Sequence, residues 1–248
     1  MLKTLVVTSW NSTLYDEYAH RFWHSFPHDE LDLCVVSEDT TAPHINIHMR
    51  AQTPFVQRNS IRPVRGFKWD AVRFCYKPYA IWSVLQEHGK WGEKPARYDR
   101  IVWLDADTVF RKTITEQWIT DNIWFHDSAM SYMGRPNYHS ETGLLVFNNT
   151  DTLAREFVEY VVELYNTDKV YELDEYHDSY VWDWARIKHE RRRGKQKQYK
   201  FKDLAEHIKH KVQGGHIQAR LYGDVMDHCK GKRKIKGYSP EVSLKDKQ

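Results

Sequence analysis

The sequence predicts a layered α/β domain, a mostly parallel sheet flanked by helices. Apolar, β-branched runs of strand length recur along the chain, and segments of helical period alternate with them. No repeat of fixed period interrupts the alternation. The 248 residues, 41% apolar and 14% aromatic, suffice for one sizeable core.

"KTLVVTSW", from Lys3, is the first run and reads as a strand buried on both faces. After a turn with capping residues at 11–13, "LYDEYAHRFWHSF" has apolar residues near helical spacing and stops before Pro27. "LDLCVVS" is a second buried strand. Residues 38–66 contain Pro43, Pro54 and Pro63 and are expected as a long loop. "FKWDAVRFCYKPYAIWSVLQEHG" predicts a helix that Pro78 kinks or restarts, ending near Gly89. "RIVWL" is a third buried strand and runs directly into Asp105-Ala106-Asp107. Beyond it come a helix over "ITEQWITDN", strands over "IWFHDSAMSYM" and "TGLLVFNN", and a helix over "TLAREFVEYVVELYN" capped by Asp151. "DEYHDSYVWDWARIKH" and "FKDLAEHIKHKV" are read as further helices. Residues 1–185 form the expected core, and 186–248 a basic segment that completes the site.

The N-terminal apolar run lacks a small-residue cleavage site and reads as a strand, not a signal peptide. No run of 18 apolar residues predicts a transmembrane helix. Three cysteines without CxxC spacing fit a reducing, cytoplasmic setting and argue against a disulfide framework. Residues 186–248 hold 19 Lys/Arg against 7 Asp/Glu, leaving 18 against 27 in the first 185. Such a split suits an anionic partner or, more plainly, a solvated tail.

In an extended segment, residues i and i+2 point the same way, so Asp105 and Asp107 aim two carboxylates at one place. Like charges so placed repel unless a cation neutralises them. Mg²⁺ or Mn²⁺ takes oxygen ligands and can hold nucleotide phosphates as well. The plainer reading, two turn-capping aspartates, is outweighed by the fully apolar strand before the pair and "TVF" after it. GxxxxGK, GxGxxG, HExxH and GxSxG signatures are absent.

"IVWLDADTVF" resembles the metal-binding strand end of GT-A-fold glycosyltransferases of the glycogenin and bacterial galactosyltransferase type. "ETGLLVFNNT", from Glu141, is similar to the glycine-plus-apolar strand ending in Asn that follows in such enzymes. "DHCKGK", from Asp227, is similar to their late H-x-x-G-x-x-K motif, with the lysine following the glycine early and no closing Pro-Trp. The resemblance implies a GT-A-type, Rossmann-like fold and a nucleotide-sugar donor, most simply a UDP-sugar. It also implies Mn²⁺ or Mg²⁺ as cofactor and transfer of a hexosyl or pentosyl unit to a hydroxyl acceptor. Carried over, Asp105, Asp107 and His228 hold the metal. Gly231 lets the backbone approach the diphosphate, and Lys232 or Lys234 meets the phosphates. Thr8, Ser9 and Trp10 at the end of the first strand, with Ala106 between the aspartates, line the nucleotide site. Arg73 and Lys77, one helical turn apart, lie near the donor. Asp178, or next Glu141, supplies the carboxylate that faces the sugar or activates the acceptor hydroxyl.

With its basic C-terminal quarter, the chain also resembles phage enzymes that glycosylate hydroxylated cytosine, making duplex DNA a possible acceptor and the host cytoplasm its location. Two other readings compete. In a haloacid-dehalogenase-type phosphatase, Asp105 would be the nucleophile, Asp107 the acid/base and "GDVMD" the late acidic motif. In a non-catalytic nucleic-acid-binding protein, the Asp pair would only cap a turn.

Overall fold

The computed structural model describes residues 2–88, 96–135, 137–193, 200–206, 216–240 and 242. Its strands are β1 (Thr4–Ser9), β2 (Asp32–Ser37), β3 (Ile47–His48), β4 (Arg100–Leu104), β5 (Thr108–Phe110), β6 (Met130–Arg135), β7 (Tyr138–Asn148), β8 (Phe201–Asp203) and β9 (Met226–His228). Seven of them form one sheet in the order β3-β2-β1-β4-β7-β6-β8, while β5 and β9 form a separate ribbon. β1 pairs in parallel with β2 and β4, as do β2 with β3 and β6 with β8; β7 runs antiparallel to both β4 and β6. The sheet is therefore mostly parallel, as expected.

Alternation along each central strand feeds two cores. Leu5, Val7, Ile101 and Trp103 point to one face, where the helices Ala71–His88, Thr152–Asn166 and Asp178–Arg193 pack. Val6, Val102 and Leu104 point to the other, with Phe22, Ile119 and Ile217 from helices beyond it. Both faces being covered explains the unbroken apolar runs Leu5–Val7 in β1 and Ile101–Leu104 in β4. Arg100, at the start of β4, is fully buried and donates to Glu116 at 2.6 Å and to the Thr4 and Thr120 hydroxyls at 2.8 Å. A buried guanidinium persists only when its donors are met in this way.

Three local expectations are corrected. Residues 38–66 are not one loop: β3 and the helix Thr53–Asn59 lie within them. Pro54 starts that helix, because the first turn has no use for the missing N–H. The strand foreseen from Ile123 begins only at Met130. "FKDLAEH" opens with a strand, since Phe201–Asp203 extends the sheet beside Met130–Tyr132; residues 207–212 of the expected helix, and Gly89, lie outside those described. Edge pairing there overrides helical propensity. The cap at Asp151 is present, its carboxylate accepting from Leu153 N at 2.9 Å, and all three cysteines are free and buried.

Candidate active site

β4 ends at Leu104, and the chain turns sharply. Thr108 N donates to Asp105 O at 3.0 Å, closing a turn over residues 105–108. Asp105 and Asp107 thus converge through a turn rather than through strand alternation. The turn leads into β5, which pairs antiparallel with β9 so that Thr108 stands opposite His228. Cys229 N donates to Asp107 O at 2.9 Å and locks that register. A segment more than a hundred residues downstream in the chain thereby delivers an imidazole to the acidic turn.

His228 Nε2 lies 3.0 Å from Asp107 Oδ1 and 3.6 Å from Asp105 Oδ2. Its other nitrogen, Nδ1, is 2.8 Å from Glu141 Oε1. An ionised carboxylate only accepts, so Nδ1 carries the proton and Nε2 faces the aspartates. Glu141 is held in turn: its Oε2 accepts from Ile217 N at 2.7 Å and Gln218 N at 3.3 Å, where the helix Ile217–Tyr222 begins. Glu141 is wholly buried behind the imidazole. The expectation that it faces the sugar is corrected on that ground. It orients His228 instead.

Burial alone would lower the His228 pKa, but Asp107 and Glu141 beside it push it up to about 10. Burial would raise Glu141, and the His228 hydrogen bond and charge bring it down to about 2. Asp107 is likewise lifted by burial, yet His228 and then Lys234, at 3.1 Å, hold it well below the usual carboxylate range. The pocket floor is a compact set of opposed charges.

Lys77 organises the opposite wall. Its side chain is 10% exposed, and Nζ lies 2.8 Å from Asp105 and 2.5 Å from Asp178. Thr142 donates its hydroxyl to Asp178 at 2.8 Å, and Lys77 donates to the Thr142 carbonyl at 3.0 Å. Burial disfavours the ammonium, but the two carboxylates outweigh it and raise the Lys77 pKa. Asp178, raised by burial, is depressed overall by Lys77. Trp103 donates its indole N–H to Asp105 at 2.8 Å, fixing that carboxylate from below.

Around these groups opens a cleft of about 750 Å³ at the carboxyl ends of β1 and β4, the usual place for a ligand in an open α/β sheet. Ser9, Trp10, Arg73, Lys77, Asp105, Ala106, Asp107, Asp178, His228, Gly231 and Lys234 all border it. Thr8 is fully buried and outside the lining. Trp10 is 1% exposed, and its indole donates to Pro43 O, so it is chiefly a core residue with one edge on the cleft. Lys232 borders a neighbouring basic groove of about 420 Å³ with Arg135, His216, Lys230, Gly231 and Arg233. Lys234, not Lys232, is the lysine at the aspartates. Gly231 has φ +65°, the left-handed region that glycine enters at no steric cost.

Sequence reasoning did not single out Thr142, Trp103, Tyr18 or Arg135. Trp103 and Thr142 sit beside named residues in the chain, but nothing in their spacing signals a contact with Asp105 or Asp178. The phosphatase alternative finds little here. Asp227 is fully buried on Arg111 and Ser239, and Asp224 pairs with Lys112; neither borders the cleft. Of the basic segment behind the nucleic-acid expectation, residues 194–199 and 207–215 lie outside those described.

Two solved structures share this architecture. A glycosyltransferase involved in the glycosylation of the major capsid of PBCV-1 superposes with a TM-score of 0.53 at 11% identity, over 95% of this chain and 98% of that one. The fold is of the GT-A type. The bifunctional glycosyltransferase WbbM superposes with a TM-score of 0.50 at 12% identity over the whole of this chain, which spans about half (52%) of WbbM. No known family profile matches the sequence, and no curated protein sequence does so.

Asp105, Asp107 and His228 each offer a ligand atom, all within 4.8 Å of one another. Asp107 Oδ1 is buried without a hydrogen bond of good geometry, its near neighbour being His228 Nε2 at 3.0 Å. Two carboxylates and one imidazole, with an oxygen left unsatisfied, fit a divalent cation. A second group, His139, Glu175 and His177, is also close-set. Its Glu175 is already engaged, lying 2.7 Å from both Lys68 Nζ and His177 Nε2.

Gly143 in β7 makes room for the imidazole. A Cβ there would lie 2.4 Å from His228 Cε1 and 2.5 Å from Nδ1. Gly143→Ala is therefore expected to cost about 1–3 kcal/mol by overpacking. It should also tilt His228 away from the aspartates and weaken any Mn²⁺-induced rise in melting temperature. A scan with and without Mn²⁺ checks both effects. An alanine variant with an undiminished Mn²⁺ response would show that the ring's position does not matter.

Proposed function

We propose that the protein is a metal-dependent glycosyltransferase that moves a sugar from a nucleotide-sugar donor, most simply a UDP-sugar, to a hydroxyl acceptor. The observation that carries the reading is the convergence of Asp105, Asp107 and His228 in a cleft at the sheet's carboxyl edge, with Glu141 buried behind the imidazole as its orienter. In this reading Asp105, Asp107 and His228 hold Mn²⁺ or Mg²⁺, which supplies charge to stabilise the departing diphosphate. Ser9 and the exposed edge of Trp10 border the nucleotide end. Lys230, Lys234 and the glycine backbone at 231 lie along the path of the phosphates. Arg73 and Lys77 come from the facing helix.

Asp178 borders the cleft outside the metal set yet is tied to it through Lys77. It would meet the sugar, and Lys77 keeps it ionised. An ionised carboxylate there can accept an acceptor hydroxyl's proton or favour positive charge developing at the anomeric carbon.

The test is turnover of a panel of nucleotide sugars, read as released nucleoside diphosphate. Release is expected with Mn²⁺ or Mg²⁺ and not after chelation. Cleavage of a generic phosphoester with no turnover of any nucleotide sugar would favour the phosphatase alternative and remove this one.

A further inference from the structure

Three large apolar side chains of one short segment stand in solvent, and the last of them borders the cleft. Ile61 is 91% exposed, Val64 54% and Phe67 59%. All of residues 60–68 are exposed except Gly66. The segment joins the helix Thr53–Asn59 to the 3-10 turn Phe67–Trp69.

Its apolar residues recur every third position, interleaved with Arg62, Arg65 and Lys68. No Asp or Glu occurs between Asp39 and Asp70. The acids that approach come from elsewhere: Asp168 pairs with Arg58 and Glu175 with Lys68. Arg65 has no carboxylate within ion-pair distance among the described residues, and Arg62 lies over the Tyr171 ring at 4.0 Å. A cluster of large exposed apolar side chains on a folded chain marks an interaction surface. Interleaved cations and the lack of acids in the segment select an anionic, apolar-cored partner.

The end of the segment, Phe67 and Lys68, reaches the active-site cleft. Phe67, Lys68, Arg73 and Phe74 border that cleft, with Phe67 edge-on to Phe74 at 5.0 Å. No helix among the described residues is long and apolar enough to cross a membrane.

We propose that residues 60–68 are a docking rim for an anionic bilayer. Ile61, Val64 and Phe67 enter the headgroup boundary, and Arg62 and Arg65 meet lipid phosphates. The cleft mouth is thereby held at the lipid surface. The docking stands without the transferase reading; its consequence, an acceptor hydroxyl presented at the bilayer, rests on that reading.

Co-sedimentation with vesicles tests it. The wild-type chain is expected to bind vesicles of phosphatidylcholine mixed with phosphatidylglycerol, and to bind pure phosphatidylcholine far more weakly. Ile61→Ser/Val64→Ser/Phe67→Ser should reduce binding on the order of a hundredfold, from three lost apolar contacts, with the melting temperature unchanged. Arg62→Gln/Arg65→Gln should lose roughly fivefold per arginine. No wild-type binding to the mixed vesicles overturns the proposal. Equal binding by the triple variant also overturns it and assigns attachment to the basic C-terminal segment. A concentration-dependent dimer that the triple variant abolishes overturns it as well, and makes the rim a self-association face. A chain that binds vesicles as expected yet turns over no nucleotide sugar leaves the docking intact and removes the reading of the site.

Discussion

Asp107→Asn is expected to lower sugar transfer by on the order of 10²–10³-fold, the usual loss when one preorganised charge-stabilising group is removed from a site. The side chain is 5% exposed, so asparagine fits the same space. Only the charge changes. His228 and Lys234, both held on Asp107, lose their shared anion, and the donor set loses a ligand that Mn²⁺ or Mg²⁺ prefers charged. Two measurements separate this from simple unfolding. The variant should keep a cooperative melt without metal, and its melting temperature should no longer rise with Mn²⁺, whereas the wild type's should. Transfer within a few-fold of wild type would show that Asp107 only caps a turn, as the non-catalytic reading requires.

Lys77→Met should give the largest loss of stability. The ammonium is the shared partner of Asp105 and Asp178. Methionine keeps much of the stem's volume but leaves the largely buried Asp178 carboxylate, 17% exposed at the cleft, with only Thr142 and a backbone N–H as donors. Removing one partner of a buried ion pair typically costs about 3–5 kcal/mol. At this chain length that corresponds to a fall of roughly 6–20 °C in melting temperature. Removing the second charge as well, in Lys77→Met/Asp178→Leu, should recover part of the loss, because a buried anion is no longer stranded. A single variant that melts as the wild type does would mean that the pair is solvated and contributes little.

Much of this organisation was legible in the residues. β1, β2 and β4 announce themselves because strands covered on both faces have no polar side, and the Asp pair stands out against them. What stayed hidden was what distant pairing decides. Nothing local in "FKD" favours a strand, and its edge position beside β6 does so instead. Pro54 reads as a breaker until the helix it begins is known. The strand-alternation argument named two aspartates that do converge, although a turn is what brings them together. His228 could be suspected from its motif, but Glu141 behind it could not be placed, because that contact depends on β7, β9 and the helix Ile217–Tyr222 meeting. The same holds for Lys77: its helix face was visible, its bridge between two carboxylates was not.

The central claim is that a divalent cation at Asp105, Asp107 and His228 holds a sugar nucleotide's diphosphate. Calorimetric titration of a UDP-sugar into the wild-type chain, with and without Mn²⁺, tests it most directly. The account predicts that Mn²⁺ tightens donor binding on the order of tenfold or more, as linked sites require, and that Asp107→Asn abolishes the difference. Donor affinity that is the same with and without Mn²⁺, or coupling that survives in Asp107→Asn, would contradict it.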